Sequence, residues 1–459
     1  MSEIRRALGP YRDALVTERA SVALDPKSVQ IVYKTASGID ATCDVELFED
    51  LDIRDGEFEN WIRNQRQAVD PTAVGNRVPI ARPVVLIDVM AGVSDYSRWL
   101  TREISDRVTV ALHDFADVTV IDGTRGPDTA ELRSGPIGVA ILLDARHGGD
   151  HISVSARLEH LYQGAIYNVA RGRVPTEGAE LADDAAVLQF VTEVVSKTLD
   201  AITSQAEETG AQNVALALCN RAKHAIFRLG KADLVKADRL LRLAYEVEPR
   251  GQYLAWRSLV RNTAHFEHRD CAFVADDLSS LQLTEEATRD APDNSLVLAM
   301  AAQAHLVRSG DIAAAKRLAL RSVECNATNP FGWIFLSNVQ LANGERVASY
   351  ATASSARAMM KSTPYRYFAE LFACMSATGT GDYARAMEHA EAALTFCPHF
   401  VAPKRYLVAL YKHAGRTDAL DVVCRALRDA EPDFEISRLL DPNYPVHTLR
   451  NLPLIDAIA

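Results

Sequence analysis

Pro330, Pro364, Pro398 and Pro432 follow one another at intervals of 34 residues, and Gly310 and Gly344 each stand 20 residues ahead of a member of that series. A fixed period of this size marks a repeat architecture built from stacked supersecondary units. Proline lacks a backbone N–H and stops a helix, while glycine takes the left-handed turn that reverses the chain between two helices. A lone helical hairpin cannot bury its apolar face, but stacked hairpins bury one another's. Pro292 and Pro249 extend the series upstream at looser spacings of 38 and 43. Between Asn213 and Phe434 the chain is rich in alanine and leucine and reads as helix almost throughout. The pattern predicts an all-α solenoid over residues 206–445, each proline ending the second helix of a hairpin, with 446–459 left as a tail.

The texture upstream is different. Val84–Val89 is an apolar run of strand length, Asp95–Phe115 has helical periodicity with Trp99, Ile104, Val108 and Leu112 on adjoining parts of one face, and Val118–Ile121 is a second strand. Strand, helix and strand of these lengths suit a parallel crossover. Gly138–Leu143 and Ile152–Leu158 flank Gly148-Gly149, a hairpin signal, and Ala165–Val169 adds a strand. A long helix over Asp183–Ile202 follows, with Leu188, Val191, Val195 and Leu199 inward. Residues 84–205 are therefore expected to be an α/β sheet domain.

Residues 1–40 read as a short basic helix, Ser2–Leu8, and then strands at Leu15–Thr17, Ser21–Leu24 and Val29–Tyr33. Residues 41–70 hold an acidic segment, with eight acidic residues and one arginine across Asp44–Glu59, and an amphipathic helix with Phe58, Trp61, Ile62 and Gln65 on one face. Residues 71–83, with Pro71, Pro79 and Pro83, read as a linker.

Composition excludes several classes. A net charge of −11 and a pI near 5.6 oppose tight binding of nucleic acid by the chain as a whole. Seven scattered cysteines with no C-x-x-C pair fit neither a disulfide framework nor a zinc finger, and favour a reducing compartment. The longest early apolar run, Val84–Val93, is ten residues and holds Asp88, whereas a membrane span needs about 20. The expected setting is cytoplasmic, without a membrane.

Reactive constellations are scarce. There is no G-x-x-x-x-G-K-[ST] loop and no G-x-S-x-G elbow. Gly379-Thr380-Gly381 sits where a repeat turn belongs. His265, His268 and Cys271 share a helical spacing that can gather metal ligands, but no fourth ligand accompanies them. His147 and His151 flank the glycine turn, and Asp88 and Asp122 end strands, where ligands of open sheets bind and where aspartate also caps turns. No catalytic, cofactor or metal residue is therefore assigned, and the chain is not expected to be an enzyme. Trp333, Asn338 and Tyr367, on first helices of hairpins, are the candidates for partner contact.

The helical half resembles tetratricopeptide repeats. Its best copy is Tyr365–Pro398, in which Ala386, Ala393 and Pro398 stand at the family's small-residue and proline positions; Leu318 and Leu420 occupy positions where alanine is usual. Ile4–Gly9, Leu15–Arg19 and Val22–Pro26 are similar to the end of an OmpR-like winged-helix domain, and Leu51–Arg66 to the segment that follows it in SARP-type bacterial transcriptional activators. Residues 84–205 resemble a TolB-N-like α/β domain. The resemblance implies a multidomain chain: a small α+β winged-helix remnant, an α/β sheet domain and a C-terminal all-α TPR-like solenoid. It implies a transcriptional regulator whose α/β and repeat domains sense or bind a protein or peptide partner. The match begins at the recognition helix, so the winged helix is expected to be N-terminally truncated and DNA binding to need a complete one. Arg5, Arg6 and Arg12 are then the residues left to touch phosphate. The alternative is a stand-alone adaptor that binds a protein partner without DNA.

Overall fold

The computed structural model describes residues 15–18, 21–24, 82–90, 94–123, 137–175, 184–208, 215–267, 271, 273 and 278–458. The chain divides into two units, one of Met1–Val78 with Thr209–Gln212 and one of Pro79–Glu208 with Asn213–Ala459. In the first, β1 (Leu15–Glu18) and β2 (Ser21–Leu24) form an antiparallel hairpin. The remaining N-terminal expectations, including the basic helix, the strand at Val29–Tyr33, the amphipathic helix and Arg5, Arg6 and Arg12, lie outside the described residues, as does the linker up to residue 81.

The second unit opens with a five-stranded sheet in the order β4-β3-β5-β6-β7. β3 (Val84–Val89) pairs parallel with β4 (Thr119–Asp122) and β5 (Gly138–His147), and β6 (His151–His160) and β7 (Ile166–Pro175) continue antiparallel. α1 (Asp95–Phe115) makes the crossover from β3 to β4 and α2 (Ala185–Glu208) follows β7; the two helices pack on each other and on the sheet. Leu100, Ile104, Val108 and Leu112, each four residues apart, bury the inner stripe of α1. Trp99, expected on an adjoining part of that face, is 45% exposed and packs beside Tyr96. One step along a helix turns a side chain by about 100°, enough to carry it off the buried face. All the strands of this sheet except β3 differ from expectation at an end, and β5, β6 and β7 each run to ten residues.

Six hairpins follow: α3 (Ala215–Ile226) with α4 (Lys231–Val247), α5 (Gly251–Glu267) with α6 (Ser280–Asp290), α7 (Ser295–Ala304) with α8 (Ile312–Cys325), α9 (Pro330–Ala342) with α10 (Arg346–Met359), α11 (Arg366–Thr380) with α12 (Tyr383–Phe396), and α13 (Val401–His413) with α14 (Thr417–Ala430). Consecutive first helices touch from α5 to α13, so the hairpins stack as a solenoid. The two helices of a pair bury themselves differently. Ten of the thirteen residues of α9 are buried, and every residue of α7 is. Two second helices bury a narrow stripe of small residues, Ala314, Ala315, Ala319 and Ser322 in α8 and Ala386, Ala390 and Ala393 in α12, which lets neighbouring backbones approach closely.

The turns within four hairpins carry Gly310, Gly344, Gly381 and Gly415, all at positive φ between 66° and 82°, where an L side chain is strained. Asp311 and Asp382 follow two of them and cap the next helix, each accepting a hydrogen bond from a backbone N–H three residues on. The prolines depart from expectation. Pro398 and Pro432 stand one residue past the C-cap of a second helix, whereas Pro330 is the first residue of α9 and Pro364 lies four past the C-cap of α10. The second helices begin at Ile312, Arg346, Tyr383 and Thr417, spacings of 34, 37 and 34, so the proline period is more regular than the structure it marks.

The segment after α14 is more than a tail. After a 3-10 turn (Ile436–Leu440), α15 (His447–Arg450) and a second 3-10 turn (Pro453–Ala457) fold back on α11 and α13. They bury Leu449, Leu452, Leu454 and Ile458, and Lys412 Nζ donates to the Ile458 carbonyl at 3.1 Å.

Candidate functional site

Curvature of the array sets the site. The loop after α3 reaches across the concave side: the Tyr367 hydroxyl donates to the Phe227 carbonyl, and the Phe227 ring stacks on Tyr365 at 4.4 Å and meets Trp256 edge-on at 6.5 Å. His399 Nε2 lies 2.6 Å from the Arg228 carbonyl. The end of α5 meets the start of α13, where both Glu267 carboxylate oxygens accept the backbone N–H groups of Val401 and Ala402, at 2.8 and 3.2 Å. A carboxylate at a helix N-terminus satisfies orphan donors and opposes the positive end of the dipole. The buried Arg405 ties the same region together, donating to the Phe266 carbonyl at 2.6 Å, to the Tyr444 hydroxyl at 3.0 Å and to Glu431.

What these contacts leave open is a cavity of about 590 Å³, the size range of small-molecule pockets. α7 and α9 supply equivalent faces: Gln303, Leu306 and Val307 from α7 and its C-terminal extension, and Asn338, Leu341 and Ala342 from α9, each residue 35 positions from its counterpart. α11 gives Phe368, Leu371, Phe372 and Met375, and the C-terminal segment contributes Val446, Thr448 and Leu452. α7 runs on into a π turn over His305–Ser309 before Gly310, which widens the helix where Leu306, Val307 and Arg308 reach the cavity. The cations Arg308 and Arg346 stand at exposed positions of the wall. Arg308 is held by the Asn262 amide oxygen at 3.0 Å and the Arg261 carbonyl at 3.2 Å, and partial burial pulls its pKa below the usual arginine range.

Two polar groups in this apolar lining have no partner. Gln303 is 5% exposed and Asn338 8%, and the side-chain oxygens Oε1 and Oδ1 make no hydrogen bond among the described residues. The structure thus brings Asn338, one of the three sequence candidates, to the cavity. The other two lie elsewhere: Trp333 Nε1 donates to the Ala327 carbonyl at 2.7 Å, and Tyr367 is buried between Phe227 and Phe400. Sequence reasoning missed Gln303, although its spacing from Asn338 repeats that of the helices that carry them.

Elsewhere the chemistry is sparse. Burial pushes the Cys374 thiol up to about 12 and those of Cys219 and Cys397 up to about 11, which suits packing and disfavours a thiolate nucleophile. All six described cysteines are free. Among the described residues no group of three histidine, cysteine or acidic side chains is placed to hold a metal. His268 lies outside those residues, and His265 and Cys271 line a second hollow beside α5. Asp88 and Asp122 come to neighbouring strand ends, Ile87 pairing with Asp122. His151 Nδ1 lies 2.8 Å from Asp150 on the exposed β5–β6 turn, with His147 beside it. Gly379 and Gly381 end α11 and form a chain reversal, as expected of a repeat turn. No helix among the described residues is long and apolar enough to cross a membrane.

No family model matches the chain, and no curated protein matches it. Among solved structures, the chain is similar to the C-terminal part of a TPR repeat-containing protein from Cytophaga hutchinsonii, at 12% identity over 55% of this chain and 95% of that one, with a TM-score of 0.27. It is also similar to yeast Tom70, at 14% identity over 62% of this chain and 59% of that one, with a TM-score of 0.31. Superpositions that loose carry no argument, and the repeat architecture stands on the stacked hairpins themselves.

Proposed function

We propose that this chain is a non-catalytic binding protein, an adaptor that holds a protein partner against the concave side of its hairpin array. The observation that carries the reading is the cavity walled by successive first helices, mostly apolar, with Arg308 and Arg346 exposed at its wall. Concave surfaces of stacked hairpins present side chains from several repeats to one partner. A photo-crosslinking residue at the exposed Ala342 of the full chain should capture a protein that the same residue at the exposed Val422 of α14 does not. Phe372→Arg, which places a charge in the cavity wall, should abolish that capture. Equal capture from both positions, or capture indifferent to Phe372→Arg, removes the reading.

A second reading adds a DNA-binding output. It is supported by the resemblance of the N-terminal residues to a winged helix and by the β1–β2 hairpin where a wing is expected. In that reading Arg5, Arg6 and Arg12 touch phosphate. Retention of duplex DNA by the full chain, weakened when the three are changed to glutamine, supports it; indifference to those changes argues for the adaptor alone.

A further inference from the structure

We propose that the concave cavity is a receptor site for a small, largely apolar organic acid, and that the side-chain amide N–H groups of Gln303 and Asn338 take up its carboxylate in a field set by Arg308 and Arg346. This goes beyond partner docking, which uses the exposed mouth; the acid fills the space beneath.

Three observations converge. The first is the size and texture of the space, about 590 Å³ with Leu306, Leu341, Phe368, Leu371 and Phe372 in its walls. Apolar walls of that extent favour an apolar body. The second is which end of each amide meets that space. Gln303 and Asn338 are more than nine-tenths buried and line the cavity. Their side-chain oxygens are occluded and so do not face it. Their nitrogens, Gln303 Nε2 and Asn338 Nδ2, are not occluded and have no hydrogen-bond partner among the described residues. Each amide therefore turns a free donor group toward the cavity, and a donor calls for an acceptor. The two residues stand at the same place, eight after the first residue of α7 and of α9, so equivalent first helices present the same group to one space.

The third observation is charge, and it narrows the class of acceptor. The chain carries a net charge of −11, yet the arginines that line this cavity, Arg308 and Arg346, have no acidic partner among the described residues. Arg308 donates to neutral oxygens, those of the Asn262 amide and the Arg261 carbonyl. Glu267, the carboxylate of the lining, has its oxygens engaged by the start of α13. Open amide donors and cations without a counter-charge select a carboxylate over an amine or an alcohol. The apolar walls select a single acid group on an apolar body over a polyanion.

The test uses the full chain and two probes of nearly one shape, trans-stilbene-4-carboxylate and trans-4-isopropylstilbene, with binding followed by fluorescence. Partition into a purely apolar space favours the isopropyl probe, so a preference for the acid must come from donors and cations in the protein. The expected result is saturable binding with the acid at least about fivefold tighter, by a margin that shrinks as salt is raised. In the Gln303→Leu/Asn338→Leu double variant the preference should reverse. Gln303→Met alone, close in shape, should narrow it about threefold and serves if the double variant does not fold. Arg346→Gln, at an exposed position, should weaken the acid about threefold and leave the isopropyl probe unchanged. Met375→Trp, which fills the half-buried side of the cavity, should weaken both probes about tenfold. An isopropyl probe that binds the unaltered chain as tightly as the acid overturns the proposal. So does an acid preference that survives the amide or the Arg346 substitutions, or unchanged affinity in Met375→Trp. No saturable binding of the acid at 100 μM, roughly the limit expected for a ligand of this size, overturns it as well. Crosslinking from Ala342 is scored separately, so either result can fail without the other.

Discussion

The two edges of the hairpin array are built on opposite principles. Along one edge, the turns that lead into α5, α7, α9 and α11 pack on the α/β layer, at α1, at Asp117 just past it and at α2. Asp114 of α1 accepts from Ser295 Oγ at 2.5 Å and from Asn326 Nδ2 at 2.7 Å, Asn294 Nδ2 donates to the Asp114 carbonyl, and Arg250 pairs with Asp117 at 2.7 Å. Thr192 donates to the Thr328 carbonyl and Gln189 to Ser362. Along the other edge stand the four left-handed glycines, where an added Cβ would meet nothing within 4 Å. One edge is fixed by side chains reaching from a second layer; the other rests on left-handed glycines and local caps such as Asp311 and Asp382, and two of its turns, at Gly310 and Gly344, border the cavity. A solenoid packed along one edge keeps its curvature while its open edge stays accessible.

Substitutions can break that contrast. The largest effect is expected at Phe227, which closes the concave side: Phe227→Ala should cost about 3–5 kcal/mol in denaturant unfolding, because a large buried ring is lost among Tyr365, Phe331 and Trp256. A cost under about 1 kcal/mol would mean that the closure contributes little.

Asp114→Ala comes next, at about 2–3 kcal/mol, because it strands the Ser295 hydroxyl and the Asn326 amide. This site also has a pH signature. Burial raises the Asp114 pKa above the usual carboxylate range, and the bonds from Ser295 and Asn326 only partly offset it. A raised folded-state pKa favours the protonated form, so the associated stability is fully present below the unfolded value, about 4, and is lost as pH rises through the folded value. Unfolding of the unaltered chain, measured against Asp114→Asn from pH 4 toward neutral, should show the unaltered chain losing ground. A constant difference would show that Asp114 does not titrate in this way.

The smallest effects separate two kinds of glycine. Gly251 begins α5 beside Pro249 on the packed edge, where a Cβ would sit 2.5 Å from the Ala287 carbonyl oxygen. Gly251→Ala should therefore cost about 1–3 kcal/mol through forced backbone movement. Gly381→Ala, with open space and φ of 81°, should cost only about 1 kcal/mol from the left-handed conformation. Equal costs at the two positions would erase the distinction between the edges.

Much of this was legible beforehand, and the reasons are local. The stacking of helical hairpins follows from glycine and proline punctuation and from apolar periodicity, and both act within about one helical turn. The strand and helix order of the α/β layer is readable for the same reason, as Leu188, Val191, Val195 and Leu199 of α2 show, all of them buried. Trp99 shows the limit: its spacing admits it to a helical face, but the shape of the sheet beneath decides which residues that face buries. The prolines show another, since Pro330 and Pro398 share a period and not a structural position.

The residues of the cavity were out of reach for a different reason. Asn338 could be named as a first-helix polar residue, but Gln303 becomes its counterpart only when α7 and α9 lie side by side. Trp333 and Tyr367 were equally plausible until Ala327 and Phe227 came within hydrogen-bond reach. The sequence by itself determined that this chain reverses at fixed intervals into paired helices, because turn chemistry is a property of single residues. Only the tertiary structure decided how tightly the array curls, that its concave side closes over a cavity, and that residues 436–458 fold against it. Those outcomes depend on contacts between residues more than a hundred positions apart, Phe227 with Tyr367 and Glu267 with Val401, which no local pattern encodes.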